Sequence, residues 1–284
     1  MSRYGTTDGT ATPARHPANA AYGHRERQPL LGQGGDAQHA QLGKFRRRMT
    51  AEVSRSHADL ILLLCYVVTG LLDSASIQVW GSFVSMQTGN TVYVGLGLAS
   101  IVYRPITPRL YKSGISLLSF CIGSFFFARF HRFFSPKRRW VLCASFAAQA
   151  ALTMAAAVIV TVRPTLEGDT APADWTVLLP LALIAFQSCG QAVTSRALKY
   201  NALTSVVLTS VYCDLFSDQD LFKWDNAERN RRASAPVLLL GGAVIGGLLA
   251  HSPVGIQGAL WAAGVIKSLM VIVWVFWPAE EEEC

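Results

Sequence analysis

Charge is what this chain is short of. Charged residues fill 15% of its 284 positions, against about 25% in an ordinary soluble domain. That deficit argues against a cytosolic enzyme, and the 51% hydrophobic content argues against a chain disordered throughout. Met1 to Thr50 holds no apolar h-region, so no secretory signal peptide is expected there. The six cysteines, at 65, 121, 143, 189, 213 and 284, include no C-x-x-C pair. Five lie in or beside apolar runs and read as small buried hydrophobes, so neither a disulfide framework nor a metal site is expected. Cys284 closes the sequence, so a C-a-a-X prenylation box is not expected. H-E-x-x-H, G-x-S-x-G and P-loop patterns are missing, and no cofactor is expected. His131 and His251 have no metal partner nearby in sequence. No N-x-[ST] sequon occurs.

The charge that is present is unevenly placed. Residues 1–57 hold nine Lys/Arg and four Asp/Glu, whereas Leu60 to Tyr103 hold one charged residue, Asp73. This describes a polar tail joined to a membrane-embedded body. The tail, 1–57, is rich in Gly, Ala, Gln, Thr and Arg and reads as disordered. Its closing cluster, Lys44-Phe45-Arg46-Arg47-Arg48, places that end in the cytoplasm. A net charge of +7 would suggest nucleic acid in a soluble protein. Here the cations flank apolar runs and read as meeting the lipid bilayer instead, so no nucleic-acid partner is expected.

A bilayer span needs about 20 apolar residues. Eight apolar runs follow the tail: A from Leu60 towards Val79, B at Thr88–Tyr103, C at Ser113–Ala128, D at Trp140–Val162, A′ at Trp175–Ser195, B′ at Tyr200–Cys213, C′ at Ala235–Ala250 and D′ at Val254–Trp277. B′ has only 14 uncharged residues, too few to cross comfortably. A to A′ and D to D′ are each about 117 residues apart, which points to duplicated halves, about 58–163 and 174–278, within a body of 58–278 followed by an acidic tail, 279–284. Coincidence among greasy segments is the alternative.

Cations decide how B and B′ cross. Eight full crossings would leave eight Lys/Arg on one side and seven on the other. Six crossings, with B and B′ entering and returning on one side, give eleven against four, which the positive-inside rule prefers. Three crossings per half would make the repeats inverted. The expected fold is therefore all-α, a transmembrane bundle of about six crossings plus two short or broken helices.

Leu71-Leu72-Asp73-Ser74-Ala75-Ser76, then Phe83-Val84-Ser85-Met86-Gln87-Thr88-Gly89-Asn90-Thr91-Val92 and Gly95-Leu96-Gly97-Leu98-Ala99, resemble the signature of the YoaK-type membrane proteins, domain-of-unknown-function family 1275, of bacteria and fungi. Thr204-Ser205-Val206-Val207-Leu208-Thr209-Ser210-Val211-Tyr212-Cys213-Asp214-Leu215 resembles that family's second motif, with Thr204-Ser205 where bacterial members usually carry a Thr pair. The similarity covers about Asp59 to Trp277 and reads as a fungal-like member. It implies an architecture and little chemistry.

Function is sought among polar groups at membrane depth. Asp73 reads as a proton or cation site, or as a helix-end carboxylate at the outer interface. Gln87, Thr88, Gly89, Asn90 and Thr91 form a compact polar patch that either lines a cavity or caps run B and ties helices together. Gln187, Gln191, Thr204, Ser205 and Thr209 supply similar groups in the second half. Lys267, midway along D′, pairs with Asp73 or Asp214, or else snorkels. Gly242 and Gly246 form a G-x-x-x-G close-packing face, internal or between copies. Glu26, Leu30 and Leu31 have the form of an acidic di-leucine signal read by a coat adaptor, which favours an endomembrane or vacuole-like compartment over the plasma membrane. The expected function is movement of a small polar or ionic solute. The rivals are a membrane enzyme acting on a lipid-soluble substrate through Asp73 and Asp214, and a non-catalytic scaffold. The oligomeric state is open.

Overall fold

Apolar runs of helical length, bounded by cations, fold here as an all-α bundle. The structure, a computed structural model, describes residues 33–102, 107–163, 173–200 and 203–280. Glu26, Leu30 and Leu31 lie outside these residues. The described helices are α1 (Gln33–Thr50), α2 (Ala58–Trp80), α3 (Gln87–Ser100), α4 (Pro108–Phe134), α5 (Arg139–Val162), α6 (Trp175–Ala197), α7 (Leu208–Phe216), α8 (Ala227–His251) and α9 (Gly255–Phe276). The chain divides at Gly43 into two units, and the first eleven residues of α1 belong to the smaller.

The tail boundary expected at residue 57 needs correction. α1 occupies part of it, with Arg47 and Arg48 in its last turn, where cations complement the helix dipole. Residues beyond α1 are pinned to the bundle. Buried Val53 donates its amide to the Lys137 carbonyl at 3.0 Å, and Ser54 donates to the Pro278 carbonyl at 3.1 Å. The acidic C-terminal segment begins attached as well, since Glu280 donates to the Glu52 carbonyl at 2.9 Å and pairs with Lys137 at 3.2 Å.

Six helices, α2, α4, α5, α6, α8 and α9, are long and apolar enough to cross a membrane; the chain is a multi-pass integral membrane protein. Their directions follow from their contacts. α2 and α8 run parallel: Asp59 pairs with Arg231 at 2.7 Å, Gly242 sits against Val67, Gly246 against Leu71, and Gln78 bonds His251 at 2.9 Å. α5 and α9 run antiparallel: Arg139 reaches the Trp277 carbonyl at 2.7 Å, Lys267 reaches Gln149 at 2.7 Å, and Trp261 reaches Thr161 at 3.1 Å. Arg55, just before α2, donates to the Leu198 carbonyl, just after α6, at 3.1 Å. The halves therefore start from opposite faces.

Exchanging α2–α5 with α6–α9 maps the set of packed pairs onto itself. α2 with α8 becomes α6 with α4, α3 with α4 becomes α7 with α8, and α2 with α9 becomes α6 with α5. α8 with α9 becomes α4 with α5, while α5 with α9 and α2 with α6 map to themselves. This is the packing of a pseudo-symmetric molecule.

The G-x-x-x-G face is internal. A Cβ added at Gly242 or Gly246 would strike the Val67 or Leu71 carbonyl oxygen, and one at Gly70 would strike that of Leu239. Backbone cannot yield as a flexible side chain does, so Gly246→Leu is expected to cost about 3 kcal/mol or more and lower the melting temperature of the purified protein. An unchanged melting temperature would refute this packing.

The short helices arise from polar, glycine-bearing breaks. α2 stops at Gly81 (φ 74°), a left-handed conformation that glycine adopts freely. The chain then turns back into the bundle. The Gly81 carbonyl accepts from Arg109 at 2.9 Å, near the start of α4, and the Phe83 carbonyl accepts from Ser116 at 2.7 Å, seven residues or roughly 10 Å further in. α3 then returns outward, so that Gly97 packs on Leu110. In the second half, Leu203 and Val211 pack with Leu62 and Tyr66 of α2, and the chain returns to pair Asp218 with Arg232 at 3.3 Å. Both short helices therefore begin inside the bundle and end on the face from which their segment entered. A cysteine at Val102 is expected to react with an impermeant thiol reagent from the same side as one at Thr107, and from the side opposite Phe133. Labelling of Val102 and Phe133 from one side would overturn the re-entrant path.

Candidate functional site

Asp73 lies four residues past the centre of α2, towards its C-terminal end, and is buried. Its Oδ1 accepts from the amides of Val84 at 2.8 Å and Ser85 at 2.9 Å, and its Oδ2 accepts from the Ser85 hydroxyl. The carboxylate thus anchors the inward-turning segment at the entrance to α3. Ser76 holds the same segment by donating to the Ser82 carbonyl at 2.6 Å, and Ser188 of α6 donates to the Val84 carbonyl at 3.0 Å.

Asn90 is fully buried and uses both ends of its amide. Its Oδ1 accepts from the Ser82 hydroxyl and the Phe83 amide at 3.0 Å each. Its Nδ2 faces the Phe83 carbonyl at 2.7 Å, Gln87 at 2.9 Å and Ser116 at 3.1 Å. Gln87 also reaches the Val84 carbonyl at 3.0 Å. Gly89 fits against the Phe83 ring, where a Cβ would lie 2.7 Å from a ring carbon. Most of the polar patch therefore builds the re-entrant turn, and Thr88 is exposed.

The sequence paired Lys267 with Asp73 or Asp214; the structure pairs it with neither. Lys267 is fully buried and donates to the side-chain oxygens of Gln149 at 2.7 Å and Gln191 at 3.1 Å, with the Phe146 ring centroid 6.0 Å away. Gln191 in turn donates to Thr69 at 2.6 Å, and Gln149 reaches Ser145, which bonds His131 at 3.2 Å. Polar groups from α2, α4, α5, α6 and α9 thus share one network around an ammonium that forms no ion pair among the described residues. Gln187, one turn from Gln191, is buried, and both of its amide atoms lack a partner among the described residues.

Three expected site residues do not join this interior. Thr91 is exposed and bonds back to the Gln87 carbonyl at 2.8 Å, while Thr209 and Asp214 are exposed on α7. On a helix, residues at i and i+3 or i+4 share a face and their immediate neighbours do not, so a polar stretch cannot all face inward. Thr204 and Ser205 are buried, Ser205 with φ 50° at the turn before α7. Among described cysteines, 65, 121, 143, 189 and 213 are all free thiols. No group of three or more His, Cys, Asp or Glu able to hold a metal occurs among the described residues.

Sequence reading missed Ser82, Ser85, Ser116, Gln149 and Ser188. Gln149 carried a signal, being an amide in the middle of an apolar run; the serines, small and frequent in membrane helices, carried none.

The tips of the two turns meet. Ser85, Gln87 and Thr88 from the first and Val206 and Val207 from the second line one cavity of about 150 Å³ with Phe120, Ser124, Cys189, Ala192, Val193 and Arg196. α3 and α7 start at its wall, neither with a side-chain cap on its first turn. The Asp73 carboxylate, which holds Ser85, is turned to the Val84 and Ser85 amides, and among the described residues the cavity lining contains no acid.

No curated protein and no solved structure matches the chain. The profile of the family described as protein of unknown function DUF1275 matches residues 61–273, which includes both short helices, α4, α5, α6 and α8 entire, and all but three residues each of α2 and α9. The chain belongs to the DUF1275 family.

Proposed function

We propose that this protein is a permease-like transporter built on an inverted repeat, passing a small polar or anionic solute through the cavity between its two re-entrant tips. The observation that carries this reading is the meeting of Ser85–Thr88 with Val206–Val207 around an acid-free cavity. Irregular backbone at membrane depth is tolerated where it is buried or lines a cavity. Helix N-termini directed at a midplane site are how discontinuous helices hold anionic groups. A volume of 150 Å³ holds about five waters at roughly 30 Å³ each, so the solute has only a few non-hydrogen atoms.

The test is flux into proteoliposomes for a panel that includes formate, nitrate, bicarbonate, ammonium, glycerol and water. Ala192→Trp should fill the cavity and reduce flux at least ten-fold while the protein still elutes as a folded species. Absence of flux across the panel from folded protein would sink the transporter reading. Altered lipid extracts on deletion would favour a membrane enzyme instead.

A further inference from the structure

At the face where α2 and α8 begin and α6 ends, a separate cavity of about 380 Å³ is lined by Arg55, Lys199, Tyr200, Leu203, Glu228, Arg231 and Arg232. Its size falls in the range of about 300–1,000 Å³ usual for small-molecule sites. Four cations meet one acid in the lining. Asp59 neutralises Arg231 at 2.7 Å, and Asp218 and Glu228 engage the two terminal nitrogens of Arg232 at 3.3 and 3.1 Å, so the cations left over are Arg55 and Lys199. Arg55 and Lys199 have no acidic partner among the described residues.

Cations that merely obey the positive-inside rule spread into solvent. Here they converge. Two guanidiniums lie over the Tyr200 ring, Arg55 at 5.6 Å and Arg231 at 5.7 Å from its centroid. The Tyr200 hydroxyl donates to the Arg55 carbonyl at 2.9 Å, and the Arg55 Nε donates to the Leu198 carbonyl at 3.1 Å. These contacts hold Arg55 and the Asp59 pair holds Arg231, and the terminal nitrogens of both have no hydrogen-bond partner among the described residues. Lys199 is held at φ 62°, a left-handed conformation uncommon outside glycine. The buried Nε of Arg232 has no partner among the described residues. Fixed, planar guanidiniums with an added ammonium are the donor set that binds phosphate oxygens in pairs.

We propose that this cavity binds a phosphate-bearing polyanion, either the headgroup of a phosphorylated inositol lipid or a free polyphosphate of similar size. The site is distinct from the cavity between the re-entrant tips. Occupancy would tie α2, α6 and α8 together at the end where the α7 segment enters and leaves.

The full-length protein in nanodiscs tests this in two arms. In the first, inositol 1,4,5-trisphosphate is titrated against nanodiscs of phosphatidylcholine alone. In the second, melting temperature is compared in phosphatidylcholine, in phosphatidylcholine with phosphatidylinositol 4,5-bisphosphate, and in phosphatidylcholine with phosphatidylserine at equal charge. Lys199→Glu should weaken binding at least ten-fold, because Lys199 is exposed and has no side-chain partner to lose among the described residues. Arg132→Gln, exposed on the same face and outside the cavity, should change it less than two-fold. Binding in the first arm alone identifies a free polyphosphate. Stabilisation by the inositol lipid beyond phosphatidylserine, lost in Lys199→Glu, identifies a headgroup. No response in either arm, or a response that phosphatidylserine reproduces and Lys199→Glu leaves intact, overturns the proposal.

Discussion

Asp73→Ala is expected to destabilise the protein by about 3–5 kcal/mol and to release the first re-entrant turn. The substitution leaves the Val84 and Ser85 amides and the Ser85 hydroxyl without their acceptor. A buried donor stripped of its partner costs about 1–3 kcal/mol, and water cannot easily replace the lost oxygen in a membrane interior. Asp73→Asn keeps one acceptor oxygen and is expected to cost less than alanine. Melting temperature of purified protein ranks the pair. The anchoring role fails if alanine melts within about 2 °C of the native protein. If asparagine melts like the native protein yet abolishes flux, Asp73 acts in transport beyond its structural role.

Lys267→Met is expected to do the opposite, leaving stability unchanged or raised while reducing flux at least ten-fold. Lys267 is fully buried and held by two amide oxygens. A buried charge carries a desolvation cost of several kcal/mol, and its removal offsets the about 1–3 kcal/mol for each amide oxygen, of Gln149 and Gln191, that loses its donor. A membrane protein that keeps an ammonium there at a cost in stability keeps it for another purpose. Melting temperature and flux measured on one preparation separate the two effects. Unchanged flux would reduce Lys267 to a packing element. Gln149→Leu, which leaves the ammonium with Gln191 alone, should instead destabilise by about 2 kcal/mol.

Part of this was legible in the order of residues. The matched spacing of the two halves is reflected in packed helix pairs that exchange into one another. The eleven-to-four division of cations agrees with six long helices and two short ones. Gly242 and Gly246 announced a close-packing face by their spacing, and they pack on α2. The tail was less legible. Its composition suggested disorder, yet α1 lies within it, and Val53 is buried because the Lys137 loop and the Pro278 segment offer it backbone partners.

Polarity placed the unusual groups, but pairing was beyond it. Apolar run length, cation bias and glycine spacing act locally or along the membrane normal, so the sequence alone determined the number of crossings, the two interruptions and the polar residues at depth. Which partner each polar group takes depends on chain segments brought together from far apart. Lys267 meets Gln149 and Gln191, 118 and 76 residues away, and Asp73 meets backbone amides, which every non-proline residue carries and no sequence pattern marks. Helix rotation turned Thr91, Thr209 and Asp214 outward. Only tertiary structure decided these matters, because in a medium without water a buried polar group takes whichever partner the packing of other helices brings within hydrogen-bond reach.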